Sequence, residues 1–154
     1  MGTIRIEFNA TVRKLPLSES KIKSLAAMVL KSQRIREADI SLGVVGDRWM
    51  MRLTERYTGR RYRTDVLAFD LTDEAEAGLS AQVIVNGQLA RERAKKFKSS
   101  ASAELALYFV HGLLHLAGYD DQEADQARRM HRRSRELLIK AGFKRLPPLP
   151  LLKE

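Results

Sequence analysis

The segment AELALYFVHGLLHLAG, residues 103–118, decides the architecture of this 154-residue chain. From Leu105 to Leu116 it is almost wholly apolar, which predicts a buried helix rather than an amphipathic surface helix. Gly118 is expected to end this helix, because glycine readily adopts the left-handed backbone found at helix C-termini. The remaining elements are expected to pack around this central helix.

Four segments ahead of the central helix have the composition and alternation of β-strands. They are TIRIEF at 3–8, DISLGVVG at 39–46, TDVLAFD at 64–70 and AQVIVN at 81–86. The last of them is apolar enough to lie inside a sheet. The stretch LTDEAEAGLS at 71–80 is expected to be an acidic surface loop.

Four further helices are predicted. The first follows Pro16 and Ser18, and it has an apolar stripe at Ile22, Leu25, Ala26, Val29 and Leu30. The second is expected to be capped by Asp47 and ended by Gly59, and it carries Trp49, Met50, Leu53 and Tyr57. A short basic helix starts at Gly87, and a last helix runs from about Gln122 to Ala141.

This order of elements predicts a single α+β domain at 1–146, with a mixed sheet of about four strands packed with helices and a buried central metal-binding helix. A Pro-rich tail follows at 147–154. No segment approaches the length of an apolar membrane span, and the N-terminus lacks a signal-peptide core. The chain has no cysteine, so a cytoplasmic protein is the simplest expectation.

The chain is basic, with 28 Lys and Arg against 19 Asp and Glu and a formal charge of +9. Such an excess favours polyanionic partners, above all nucleic acid, although it is also compatible with a solubilising surface. Two clusters are candidate surfaces for a nucleic-acid backbone: Arg56, Arg60, Arg61, Arg63 and Arg91, Arg93, Lys95, Lys96, Lys98. Aromatic residues make up only 6% of the chain, so stacking on bases is not predicted.

The central helix carries His111 and His115, which lie four residues apart and therefore on the same helix face. This spacing is typical of two imidazoles that chelate one cation. Beyond the turn at Gly118, Asp121 is the expected third ligand, leaving a fourth position for a metal-bound water that acts catalytically. Two histidines on an apolar helix are harder to explain as core residues, since each would need its own buried partner.

Two alternatives to this ligand set stay open. Asp120 competes with Asp121 for the third position, or caps the last helix. His131, on the last helix, is expected to be a solvated or half-buried residue, and becomes an alternative ligand if that helix packs back over the site. Gly112 stands where His-Glu-x-x-His proteases carry their general base, so a metal hydrolase other than such a protease is predicted.

Three stretches resemble the YbeY family of bacterial endoribonucleases. HGLLHLAGYDD at 111–121 is similar to the family signature His-Gly-x-Leu-His-Leu-x-Gly-Tyr-Asp-His, and TDVLAF at 64–69 resembles the family segment Thr-Asp-Val-Leu-Ser-Phe. ELALYFVHG resembles the family's approach to the metal helix. The resemblance implies a zinc-binding, cytoplasmic α+β protein with one Zn²⁺ per chain, held at His111, His115 and Asp121.

The resemblance also implies a single-strand-specific endoribonuclease of small-subunit ribosomal RNA 3′-end maturation and ribosome quality control, with ribosomal RNA and the ribosome as partners. No DNA specificity and no membrane are expected. The third family ligand is usually His, and an Asp at 121 makes the metal a weaker Lewis acid or favours another divalent ion. The family's functional Arg falls on Thr58, so Arg60, Arg61 and Arg63 are the candidate phosphate contacts.

Two other functions remain open on the sequence alone. One is a non-enzymatic ribosome-assembly or RNA-binding factor whose metal is structural. The other is a metal hydrolase that acts on another substrate.

Overall fold

The predicted central helix is present as α4 (Ala101–Leu116), and the rest of the chain is built around it. The computed structural model describes residues 2–148. The other elements are β1 (Ile4–Ala10), α1 (Glu19–Ser32), β2 (Ala38–Val45), α2 (Asp47–Thr58), β3 (Val66–Asp70), β4 (Leu79–Asn86), α3 (Gly87–Phe97) and α5 (Ala124–Lys140). The predicted tail at 147–154 lies outside the described residues from 149 onward.

The four strands form one mixed sheet in the order β1-β2-β4-β3, which confirms the predicted α+β class. β1, β2 and β4 run parallel, and β3 pairs antiparallel with β4 at the sheet edge. The loop at 71–78 joins β3 to β4 and is exposed throughout, as its acidic sequence predicts. β4 is central, which explains why its sequence is apolar on both faces.

The main core lies between one face of the sheet and the helices α1 and α4. The predicted stripe of α1 is buried without exception, and Ser18 caps that helix by accepting a hydrogen bond from the Lys21 N–H at 3.1 Å. α4 is pressed onto β3 and β4 at Gly112. A Cβ atom at this position would lie 2.7 Å from Val83 Cγ1, so only glycine allows this close approach.

The second face of the sheet carries a smaller core that is covered by α2. Met50 packs there against Val45 and Ile84, with Leu53 and Phe69 partly buried beside it. This face is apolar only near β3 and the C-terminal ends of β2 and β4. At its other edge, the outward positions of β1 are polar and exposed. α2 therefore rests on the sheet through a narrow stripe, and much of its surface remains in solvent.

Two local predictions were wrong in detail. Asp47 is the first residue of α2 rather than its cap: Gly46 holds the cap position, and the Asp47 carboxylate accepts hydrogen bonds from Arg63 and Asn86 instead. α5 begins at Ala124, not at Gln122, because the chain between α4 and α5 is held in a turn by Asp120. No helix within residues 2–148 is long and apolar enough to cross a membrane.

Candidate metal centre

His111 lies in the last third of α4, and its Nε2 atom is buried with no hydrogen-bond partner among the described residues. Burial and, to a lesser extent, the neighbouring His131 lower the pKa of His111 to about 4, against the opposing negative charges of Asp65 and Asp121. The imidazole is thus neutral at physiological pH. A buried, neutral ring nitrogen without a partner is costly unless it binds something, and a metal ion requires a histidine in this form.

His131 reaches the same place from α5. Its ring centroid lies 5.1 Å from that of His111, with the two rings in an edge-on arrangement. Burial also lowers the pKa of His131, and the negative charge of Asp121 opposes this shift. α5 therefore packs back over α4, which is the arrangement that His131 needs to act as an alternative ligand.

The other predicted ligands are more accessible. The side chain of His115 is exposed one turn beyond His111, and Asp121 is exposed after the turn at Gly118, where φ is +109°. The Asp120 carboxylate accepts the backbone N–H groups of Asp121 and Gln122, at 2.7 and 3.2 Å. Asp120 thus holds the turn through Oδ1, whereas the Asp121 side chain forms no hydrogen bond or ion pair within residues 2–148.

Within residues 2–148, no three His, Asp or Glu side chains form a group already closed enough to hold a metal ion. The donor chemistry nevertheless suits a metal ion. His111 offers a buried nitrogen without a hydrogen-bond partner, and His131 and Asp121 are near enough to shift the pKa of His111. Binding would therefore draw exposed side chains inward, rather than fill a rigid cage. The predicted burial of the central helix is confirmed; its role in metal binding stays a prediction.

A polar network that the sequence pattern did not reveal lies along the same helix. Tyr108 donates a hydrogen bond to Glu104 Oε1 at 3.1 Å, and Arg93 of α3 lies 3.5 Å from the Tyr108 hydroxyl oxygen. Arg93 also forms an ion pair with Asp65 at 3.2 Å, and the negative charge of Asp65 acts to raise the pKa of His111. The signal was present in the spacing of Glu104, Tyr108 and His111, which places all three on one side of α4.

Comparison with known proteins identifies the family. The family model described as Endoribonuclease YbeY matches residues 6–142. The chain belongs to the Endoribonuclease YbeY family. An Endoribonuclease YbeY from Anaeromyxobacter is 37% identical over 80% of this chain, which spans 65% of that relative's length. One from Cellvibrio japonicus is 32% identical over 91% of this chain and 80% of its own.

A solved structure shares the fold. The solution structure of a protein from Thermotoga maritima superposes with a TM-score of 0.62 at 24% identity, covering 90% of this chain and 89% of that one. This similarity supports the α+β architecture that the strand order and helix packing define.

The three predicted phosphate contacts, Arg60, Arg61 and Arg63, follow α2 and differ in their surroundings. Arg63 is engaged by two carboxylates, with Nε 2.7 Å from Asp47 and a terminal nitrogen 2.6 Å from Glu92. Arg61 lies 3.9 Å from Glu55. Arg60 is exposed and forms no ion pair within the described part of the chain, so it is the least constrained of the three predicted phosphate contacts.

Proposed function

We propose that this chain is a metal-dependent endoribonuclease that cleaves single-stranded RNA. The observation that carries the metal dependence is the buried, unpartnered Nε2 of His111. The family match over residues 6–142 supports RNA as the substrate class. We place its activity in the cytoplasm, in maturation of the small-subunit ribosomal RNA 3′ end and in ribosome quality control, with ribosomal RNA and the ribosome as partners.

The residues that would hold a Zn²⁺ or another divalent ion are His111, His115 and Asp121, with His131 as a further donor from α5. Such an ion would supply Lewis acidity and charge neutralisation at the phosphodiester. His111 would bind without first losing a proton, because its pKa is already low. The family usually has three imidazoles, and here the carboxylate of Asp121 replaces one of them. Compared with an imidazole, a carboxylate ligand favours a harder ion than zinc.

The surrounding residues have separate tasks in this proposal. Gly112 leaves no space for a general base between the two motif histidines, because the sheet occupies that side of α4. Asp65, paired with Arg93, lies near His111 and would orient the site electrostatically. Arg60 would contact an RNA phosphate outside the buried region, where a guanidinium stabilises charge on the reacting phosphoryl group.

The test combines metal analysis with an RNA-cleavage assay in the presence and absence of a chelator. Metal content should approach one ion per chain in the wild type and be lost in His111→Ala. Asp121→Asn should lower metal affinity by at least about tenfold, because it removes a charged ligand. Asp120→Asn is the matched control, since an amide oxygen can still accept the two backbone N–H groups of the turn.

Three outcomes would contradict parts of the proposal. Equal metal affinity in the Asp121 and Asp120 variants would exclude Asp121 as a ligand. Full metal content in His131→Asn would exclude His131 as a donor. Metal-loaded protein that binds RNA without cleaving it would favour the second function, a non-enzymatic RNA-binding factor, which the open arrangement of the described donors also allows.

A further inference from the structure

Helix α2 exposes aromatic side chains instead of burying them. Trp49 is 49% exposed and Tyr57 is 56% exposed, whereas Met50 and Thr54 are the buried residues of the helix. A single exposed ring is ordinary on a protein surface, but α2 combines two exposed rings with several exposed arginines on one helix. The helix is anchored through Met50 on the second face of the sheet, which leaves its outer side in solvent.

The same side of α2 carries positive charge. Arg48, Arg52 and Arg56 are exposed, and none of them forms an ion pair within residues 2–148. The Arg52 guanidinium lies 5.7 Å from the centre of the Trp49 ring. Helical periodicity places Trp49, Arg52 and Arg56 along one line. The acidic residues of α2 are directed elsewhere, since Asp47 pairs with Arg63 and Glu55 lies nearest Arg61.

We propose that this surface, formed by Trp49, Arg52, Arg56 and Tyr57, is a binding platform for single-stranded RNA. The rings would stack on bases while the guanidiniums contact phosphates, the combination used for single-stranded nucleic acid without sequence preference. A protein partner would instead be expected to bury a largely uncharged patch, whereas here exposed arginines line the helix beside the rings. The low aromatic content of the chain did not indicate this surface, because stacking depends on which rings are exposed and not on how many the chain contains.

The platform lies across the edge strand from the candidate metal centre. Tyr57 contacts Phe69 of β3, with ring centroids 4.6 Å apart, and Val66 of the same strand lies under Gly112 of α4. An RNA strand held on α2 would pass over β3 to reach α4. The identity of the ligand as RNA rests on the proposed function, whereas the existence of a stacking surface does not.

Trp49 is the only tryptophan of the chain, so its fluorescence reports directly on this surface. A short unstructured single-stranded RNA, titrated into chelator-treated full-length protein, should quench the Trp49 emission, and the duplex of the same sequence should quench it much less. Trp49→Ala and Tyr57→Ala should each weaken binding of labelled single-stranded RNA roughly 5- to 100-fold. Trp49→Phe retains a ring and should stay within roughly threefold of wild type.

The control is Leu71→Ala in the acidic loop between β3 and β4, which removes an apolar side chain that is 60% exposed and lies outside both basic clusters. This change should leave RNA affinity unaltered. Equal losses in Leu71→Ala and Trp49→Ala would overturn the assignment to α2. Quenching by polyglutamate as strong as that by RNA would show binding by charge alone, and would overturn stacking.

Cleavage is measured separately, so the two proposals can fail independently. RNA that is cleaved without quenching Trp49, and with unchanged affinity in Trp49→Ala, would overturn the platform while the proposed function stands. Quenching and a Trp49-dependent affinity in a protein that cleaves no RNA would support the platform and refute the proposed activity.

Discussion

At the scale of single residues, Gly112 and His111 show how one helix serves two environments. Gly112 faces the sheet, where Val83 and Val66 leave room for a hydrogen atom but not for a methyl group. Its neighbour His111 faces α5 and has a buried nitrogen without a partner. The glycine brings α4 close to β3 and β4, and this closeness contributes to the burial that keeps the histidine neutral.

Gly112→Ala should destabilise the protein even though alanine is the better helix former. The added Cβ would lie 2.7 Å from Val83 Cγ1 and 3.1 Å from Val66 Cγ2, and overpacking of this kind outweighs a helix-propensity gain of about 1 kcal/mol. A net loss of about 1–2 kcal/mol in the free energy of unfolding is expected from denaturant titration. The same change made in a Val83→Ala background should cost less. An equal cost in both backgrounds would refute the steric explanation.

At the scale of elements, α3, α4 and the segment before β3 are joined by a network in which Glu104 and Tyr108 are buried and Arg93 and Asp65 are partly exposed. Glu104 is 3% exposed, and its Oε2 atom has no hydrogen-bond partner in the described part of the chain. Burial raises the pKa of Glu104, and the hydrogen bond from Tyr108 and the charge of Arg93 only partly oppose this shift. The network thus links the elements around the site while holding a carboxyl group that resists ionisation.

Glu104→Gln should change how stability depends on pH. In the unfolded chain Glu104 ionises near its ordinary pKa of 4.5, whereas the folded protein retains the proton to higher pH. The folded state therefore binds more protons above pH 4.5, and its stability falls as pH rises through the folded pKa. Because glutamine does not titrate, the variant should gain stability relative to wild type as the pH rises above 4.5.

The measurement is the free energy of unfolding at several pH values, with Glu123→Gln as the control for losing one exposed carboxylate. A wild-type minus variant difference that is independent of pH, or one that rises with pH, would mean that Glu104 is ionised in the folded protein. Tyr108 would then donate its hydrogen bond to a carboxylate rather than to a protonated carboxyl group.

At the scale of the whole molecule, the cations that give the formal charge of +9 differ in whether a carboxylate already pairs with them. Several cations are already paired, as Arg63 and Arg93 are, and these contribute little attraction for a phosphate backbone. Others, such as Arg52 and Arg56 on α2, have no carboxylate partner among the residues described. The unpaired cations, more than the total charge, should determine how RNA binding responds to salt.

Arg52→Gln should reduce the salt dependence of RNA binding. For single strands the slope of log K against log salt concentration changes by roughly 0.7 for each phosphate that the protein no longer neutralises. Lys23→Gln on α1 is the matched control, because it removes the same charge on the other side of the sheet and from an ion pair with Glu19. Affinities measured over a range of salt concentrations test this; equal slopes in the two variants would show that only net charge matters.

Much of the fold follows from the sequence alone. The apolar run of α4, the stripe of α1, the four strand segments and the glycines at 59 and 118 each predict their element, because burial and backbone freedom are local requirements of pattern and residue type. The pair His111 and His115 and the turn to Asp121 are likewise visible in the spacing. The role of Asp47 differs from the prediction because Arg63 and Asn86, distant in sequence, bind its carboxylate, and the start of α5 differs because Asp120 holds the preceding residues in a turn.

The tertiary structure decided the rest. Only the packing of α5 on α4 brings His131 to 5.1 Å from His111, and only the narrow contact of α2 with the sheet leaves Trp49 and Tyr57 in solvent. Arg60 and Arg63 are indistinguishable as phosphate contacts from the sequence. In the structure only Arg63 is occupied by carboxylates, because Asp47 and Glu92 both pair with its guanidinium. Periodicity determines which residues share a face of an element; what that face meets depends on contacts between residues far apart in the chain.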